Sequence, residues 1–379
     1  MTDEISRRRV TYQQTIEYEV VNSFNLLHPQ NRSLLSVGKT ENARRFIVVD
    51  QNIEKYYSHE IRNYFSHHQI EAKIISLPCG EENKTLENYM AIIRELDSFP
   101  INRRNEPIIA IGGGVLTDVA AFVASSYRRG IPHIKVPTTL MGYVDASIGI
   151  KNGINFDDNK NRLGAFTPPQ KVFLDKAFFK TLQKRHVLNG ICEIIKLAII
   201  KDAKLFDLLE MHGAQSVESK FQDDQSSLIL NHAINGMLDE LEPNLFEEDL
   251  MRKVDFGHTF SYGLETRHET DLLHGEAVLL DMLVSALIAR GRHLLSDEDT
   301  ARIFQLIAKL GISVDMNILD PQQLWQSLEE RTYHRDGLQR VPLPHGIGGC
   351  TFVNDINMKE IESAVKILED WIIVNYDHA

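Results

Sequence analysis

"AIGGGVLTDVAAFVASSYRRG", residues 110–130, carries a short apolar run into three glycines and then into a stretch long enough for a helix. A strand that ends at Gly112, Gly113 and Gly114 leaves bare backbone N–H groups at the positive end of a helix, where they can face a pyrophosphate. The spacing is not G-x-G-x-x-G, so an ordinary dinucleotide-binding dehydrogenase is not the natural reading. A plain tight turn in an α/β sheet would use the same glycines. Asp118, four residues on, suits a hydrogen bond to a ribose or nicotinamide, or compensation of the helix end.

Working outward, the same rhythm recurs. "RFIVVD" (45–50), "AKIISL" (72–77), "PIIAIGGG" (107–114), "HIKVPTT" (133–139) and "KVFLD" (171–175) are β-branched apolar runs separated by helix-length stretches. That pattern predicts βα units and a parallel sheet. Beyond about residue 176 the apolar spacing turns helical, over 188–202, 204–212, 225–242, 250–266, 275–293, 298–310 and 357–371. The chain therefore reads as α/β, with an α/β domain over residues 1–176 and a mostly α-helical domain over residues 177–379.

Composition narrows the function. A chain of 379 residues with 43% hydrophobic and 25% charged residues is that of an ordinary globular protein. Its net charge of −12 argues against nucleic acid and against anionic membranes, so an anionic ligand needs a local cationic pocket. Cys79, Cys192 and Cys350 lack CxxC spacing, which points to a reducing, cytoplasmic setting. No run reads as an export signal or a membrane span.

"VPTTLMGYVDASIGIKNGINFDDNKNRLGAF" (136–166) supplies that pocket's ingredients. Thr138 and Thr139 follow a strand, and Lys151, Lys160 and Arg162 interleave with Asn155 and Asn161 among glycines. Cations and amides so arranged suit a phosphorylated, polyhydroxylated ligand, although a solvated loop would carry the same residues. In "NGICEIIKLAII" (189–200), Glu193 and Lys196 stand one turn apart on an apolar helix, where each needs a partner. "VDFGHTFSYGLETRHETDLLHGEAV" (254–278) adds His258 and His274. Glu193, His258 and His274 together make a candidate three-ligand metal site with an open position, while each histidine alone fits an ordinary packed one.

In their order, "GGGVLTD", "RRG", "VPTTLMGYVDASIGIKNGIN", "KNRLG", "CEIIK", "DFGHTF" and "LLHGEAV" resemble the dehydroquinate-synthase-like sugar phosphate cyclases over roughly residues 45–345. The resemblance implies the dehydroquinate-synthase-like fold, with a Rossmann-like NAD-binding domain, a helical metal-binding domain, a cleft between them and a homodimer. It implies Zn2+, or Co2+ in its place, on Glu193, His258 and His274. NAD would contact Asp50, Glu81, Lys84, Gly112, Gly113, Gly114, Asp118, Thr138 and Thr139, with Lys151 and Lys160 alongside. Asp145, Lys151, Lys160, Asn161 and Lys196 match substrate positions, and Arg129 matches an arginine that reaches the neighbouring subunit's phosphate site. Such enzymes oxidise a sugar phosphate transiently, eliminate phosphate, reduce, open the ring and close it again by an aldol step.

Within the family, dehydroquinate synthases place a lysine and an arginine 21 and 7 residues before the first zinc histidine to bind a substrate carboxylate. Here those positions hold Met237 and Met251, with Arg252 and Lys253 adjacent. Asp255 stands where those enzymes carry asparagine, and would repel a carboxylate and accept from hydroxyls. Leu241, Asp255 and His334 resemble the 2-epi-5-epi-valiolone synthases, which implies sedoheptulose 7-phosphate as substrate. Open alternatives are a 2-epi-valiolone synthase, a desmethyl-4-deoxygadusol synthase, a divergent dehydroquinate synthase, a metal-dependent polyol dehydrogenase or a non-catalytic relative. Tyr262, four after His258, departs from the family pattern and reads either as helix packing or as a hydroxyl toward substrate.

Overall fold

The structure, a computed structural model, describes residues 7–36, 43–157, 159–265, 272–313, 315 and 318–376 of the 379. Its centre is a six-stranded parallel sheet ordered β1-β8-β5-β4-β2-β3, built from β1 (Glu19–Asn22), β2 (Arg45–Asp50), β3 (Ala72–Leu77), β4 (Ile108–Gly112), β5 (His133–Pro137) and β8 (Lys171–Leu174). All five expected strands are present. β1 comes from a stretch whose polar alternation hid it, and it is fixed by pairing with β8.

The sheet is buried on both faces, which is why its strands read as continuous apolar runs. Ile47, Val49, Ile109 and Ile111 pack beneath α1 (Gln51–His67), while Phe46, Val48, Ile108 and Ala110 face α2 (Leu86–Ser98) and α3 (Gly114–Ser126). Successive residues of one strand thus serve opposite layers. Between β5 and β8 the chain makes a π-helical turn (Gly142–Ala146) and an antiparallel hairpin of β6 (Lys151–Phe156) and β7 (Asn159–Phe166).

The remainder is helical: α4 (Lys184–Ile200), α5 (Ala203–Glu218), α6 (Ser226–Leu241), α7 (Ser261–Glu265), α8 (His274–Gly291), α9 (Asp297–Lys309), α10 (Pro321–Tyr333) and α11 (Met358–Tyr376), with a small ladder of β9 (Val341–Pro344) and β10 (Cys350–Val353). Among the described residues no helix is long and apolar enough to cross a membrane. The expected helix over 250–266 is only α7 within those residues. Gly257 at φ 80 turns the chain, and the apolar spacing arises because Val254, Phe256 and Phe260 are buried from a loop. That loop is anchored by the buried Asp281 of α8, whose carboxylate accepts from the backbone N–H groups of Phe260 and Ser261.

Helix α4 meets the turn that follows β5, and α8 meets α4, at glycine contacts. A Cβ on Gly190 would stand 2.6 Å from Leu140 Cβ and from Met141 N, and Gly275 N donates to Asn189 Oδ1 at 2.6 Å. Gly190→Ala is therefore expected to cost about 1–3 kcal/mol by forcing α4 off the turn beneath it. Denaturant unfolding measures this, and a stability unchanged within error would mean the contact yields freely.

Candidate active site

The loops that leave the carboxyl ends of parallel strands carry the sequence-predicted cofactor residues, the usual place for ligands in such sheets. Asp50 ends β2 and caps α1 through Asn52 N at 2.8 Å; burial pushes its carboxyl above the usual range. Gly113 and Gly114 open α3 with no side chain capping it. A Cβ on Gly113 would come within 3.1 Å of Thr139 Cγ2, and one on Gly114 within 3.0 Å of Ala146 Cβ. Thr138 N donates to Gly112 O at 2.9 Å, and Gly142 N donates to Thr139 Oγ1 at 3.1 Å. The uncapped helix end held bare by glycine is the feature a pyrophosphate needs, and the arrangement fits a dinucleotide.

Lys84 links this region to the hairpin. Its Nζ lies 2.6 Å from Asp118 Oδ2 and 2.5 Å from Asn161 Oδ1. Burial opposes its charge, but Asp118 and Glu81 outweigh it and raise the ammonium above its ordinary range. Asn155 completes the tie, donating to Glu81 Oε1 at 2.9 Å and accepting from Asn161 N at 2.9 Å.

Glu193 and Lys196 project from the buried face of α4. Glu193 has no exposed surface, and neither of its carboxylate oxygens has a partner of hydrogen-bonding geometry, although Lys196 Nζ contacts Oε2. His258 Nε2 stands 4.0 Å and His274 Nε2 3.6 Å from Glu193 Oε1. One donor atom from each of the three lies within 4.8 Å of the others. The opposite ring nitrogens are held from behind, His258 Nδ1 by Phe256 O at 3.2 Å and His274 Nδ1 by Glu265 Oε1 at 2.9 Å. Both rings thus turn Nε2 inward, the orientation that outer hydrogen bonds give to metal-binding histidines. Orphaned carboxylate oxygens facing two imidazoles fit a divalent, zinc-like cation. The histidine side chains are 29% and 36% exposed, so the fourth side of the site opens outward.

Charge follows from this packing. Burial disfavours the Glu193 carboxylate, yet Lys196 and the two histidines hold it below the usual range. Burial and then Glu193 push Asp145, in the π-helical turn, upward. Burial and then Lys196 bring His258 down to about 3, whereas Glu265 overcomes burial and pushes His274 up to about 10. Without a cation, the Lys196 ammonium and a proton on His274 supply the positive charge beside Glu193.

Other predicted residues lie further out. Lys160 reaches the site through Glu265, 2.6 Å from its Oε2. Lys151 is 62% exposed and pairs with Glu247 at 2.9 Å. Arg129 is exposed in a turn at φ 64, and His334 is exposed at the end of α10. Asp255 is buried, but Arg252 and Arg335 lie 3.1 and 2.5 Å from its oxygens and Arg331 3.2 Å, so its carboxylate is already engaged. Met237 is core and Met251 exposed; Tyr262, 42% exposed, is not packed into the core as the helix-packing reading requires. Glu265, Arg331 and Arg335 had no signal in spacing. Glu265 was hidden in the run read as one helix, and the arginines lie more than 70 residues from the loop they grip.

Known proteins are similar over nearly the whole chain. The 3-dehydroquinate synthase N-terminal family matches residues 74–189 and the 3-dehydroquinate synthase C-terminal family residues 190–332. A 2-epi-5-epi-valiolone synthase of Streptomyces albus is 47% identical over 94% of this chain and 89% of its own. A demethyl-4-deoxygadusol synthase of Trichormus variabilis is 36% identical over 92% and 87%. The solved structure of ValA, a 2-epi-5-epi-valiolone synthase from Streptomyces hygroscopicus subsp. jinggangensis 5008 with NAD+ and Zn2+ bound, superposes with a TM-score of 0.92 at 40% identity, covering 96% of this chain and 99% of that one.

Two outcomes test the site. With His274 raised to about 10 and His258 lowered to about 3, zinc binding near pH 7.5 should release about one proton per ion, and apparent affinity should rise about tenfold per pH unit over roughly pH 6–9. Calorimetry in buffers of differing ionisation enthalpy reads this, and zero released protons would contradict a protonated His274. Glu265→Gln should weaken zinc about 10–100-fold, read by competition with a chelator; unchanged affinity would leave Glu265 without a role in orienting His274.

Proposed function

The chain belongs to the 3-dehydroquinate synthase family, and from that premise we propose that its cleft makes it a sugar phosphate cyclase, converting sedoheptulose 7-phosphate to 2-epi-5-epi-valiolone and inorganic phosphate. The observation that carries this reading is the meeting of Glu193, His258 and His274 beside the buried Lys196. Identity of 47% to a 2-epi-5-epi-valiolone synthase, against 36% to a demethyl-4-deoxygadusol synthase, supports the choice of product.

The reading takes NAD at Asp50, Glu81, Lys84, Gly112, Gly113, Gly114, Asp118, Thr138 and Thr139, and Zn2+ on the three ligands, as ValA's bound NAD+ and Zn2+ support. When bound, NAD would take and return one hydride per turnover while zinc draws electron density from the sugar oxygen it faces. Lys196, its charge favoured by Glu193 and Asp145 against burial, would stabilise negative charge developing on the oxidised sugar's oxygen. Lys160 and Asn161 would grip the phosphate while one of its own oxygens takes the proton from the neighbouring carbon. They would then release it as the carbon–oxygen bond breaks, which makes the enzyme a carbon–oxygen lyase. Glu193, His258 and His274, by holding the cation, would help keep the ring-opened intermediate aligned for aldol closure.

The reading includes a homodimer, in which the exposed Arg129 and its left-handed turn serve the partner's phosphate site. It also includes a reducing cytoplasmic setting, which the unpaired Cys79, Cys192 and Cys350 suit.

Purified protein with zinc, NAD and sedoheptulose 7-phosphate should release phosphate and yield 2-epi-5-epi-valiolone by NMR, with no accumulation of NADH. Lys196→Met should lower kcat about 10²–10³-fold with zinc retained. NADH formed in proportion to substrate would point to a polyol dehydrogenase instead. Turnover of only the carboxylated dehydroquinate precursor would make the chain a dehydroquinate synthase.

A further inference from the structure

The loop before His258 holds a charge arrangement that the proposed reaction does not use. Asp255 Oδ2 accepts from Arg335 Nη2 at 2.5 Å and Arg331 Nη2 at 3.2 Å, and Arg252 Nη2 lies 3.1 Å from Oδ1. Arg252 also reaches Glu247 at 2.6 Å, and Glu247 is shared with Lys151. Four cations therefore meet two carboxylates. The guanidiniums are only 11–14% exposed, and Arg331 Nε is buried with no hydrogen-bond partner. Each guanidinium gives Asp255 one contact, within the roughly four acceptor sites of a carboxylate; Arg331 and Arg335 also donate to the carbonyls of His258 and Leu250 and Arg252 reaches Glu247, which leaves Arg331 Nε unmet.

This is the composition of a receptor for an anionic ligand, and its occupant is a side chain of the protein. We propose that Arg252, Arg331 and Arg335 form a carboxylate-receiving site beside the metal ligands and that Asp255 fills it as an internal carboxylate. While Asp255 is in place, an incoming carboxylate finds the donors taken and meets a like charge, so the cleft admits a neutral-headed ligand. That selectivity rests on the sugar-phosphate reading above; the arginine site itself does not. The sequence had pointed to a missing anion receptor, since Met237 and Met251 stand at the relevant positions. The fold supplies one from α10 and its end instead.

The site also couples to the metal. Arg331 Nη1 donates to the backbone carbonyl of His258 at 2.7 Å, so the guanidinium that grips Asp255 also fixes a ligand loop. Removing the Asp255 carboxylate leaves a cationic void of the size of formate, next to donors already aimed at it. A small carboxylate should bind there, while a neutral molecule of the same shape should not.

The test uses Asp255→Ala and Asp255→Ser in the full chain, titrated with sodium formate and, as the neutral counterpart, formamide at constant ionic strength. In both variants about 100 mM formate should raise the thermal midpoint by about 2 °C or more over formamide. The native protein should respond equally to the two. Formate should also restore zinc affinity, and recover at least about tenfold of the sedoheptulose 7-phosphate turnover lost in the variants. Folded variants that do not distinguish formate from formamide would overturn the proposal. So would failure of both variants to fold with formate present, since an exogenous carboxylate would then not replace Asp255. The thermal measurement needs no substrate, so a native protein inert toward sedoheptulose 7-phosphate would sink the functional reading and leave the arginine site standing.

Discussion

A carboxylate sealed from water must have positive charge around it, and the site depends on that requirement at Glu193. It lies on a helix buried from Asn189 to Ile200, beyond the reach of solvent, and its oxygens have no partner of hydrogen-bonding geometry. Lys196 on one side and His274 on the other supply the compensation, while the neutral His258 turns Nε2 toward the same oxygen as His274. Such a cluster is costly to assemble for stability alone. Its geometry is what a cation shared by the three side chains would require.

From that centre a series of ion pairs runs outward and ties separate parts of the chain together. His274 leans on Glu265 and Glu265 on Lys160, so the β6–β7 hairpin is held to a candidate metal ligand. Lys84 joins the same hairpin to Asp118 of α3, next to the glycine turn. On the other flank Arg331 joins the carbonyl of His258 to Asp255. Two candidate ligand regions, one over the strand ends and one over α4, are thereby joined through the hairpin by ion pairs and hydrogen bonds.

Much of this was legible in the chain. The five apolar runs became strands because burial on both faces leaves a parallel strand little polar alternation, and Glu193, His258 and His274 stood out as polar residues in apolar or glycine-rich company. β1 was not legible, since its pairing partner, rather than its own pattern, makes it a strand. The 250–266 run misled because buried loop residues can mimic helical spacing when Gly257 turns the chain.

What the sequence determined by itself was the α/β plan, the glycine turn at the head of α3 and the residue types able to bind a cation and a phosphate, because periodicity and composition are local properties. Only the tertiary structure decided that Glu265 orients His274, that Lys151 faces outward to Glu247, and that three arginines close on Asp255. Those are questions of which distant side chains meet. Coulomb interactions act through space, so a partner 80 residues away leaves no mark on local spacing until packing has brought the two together.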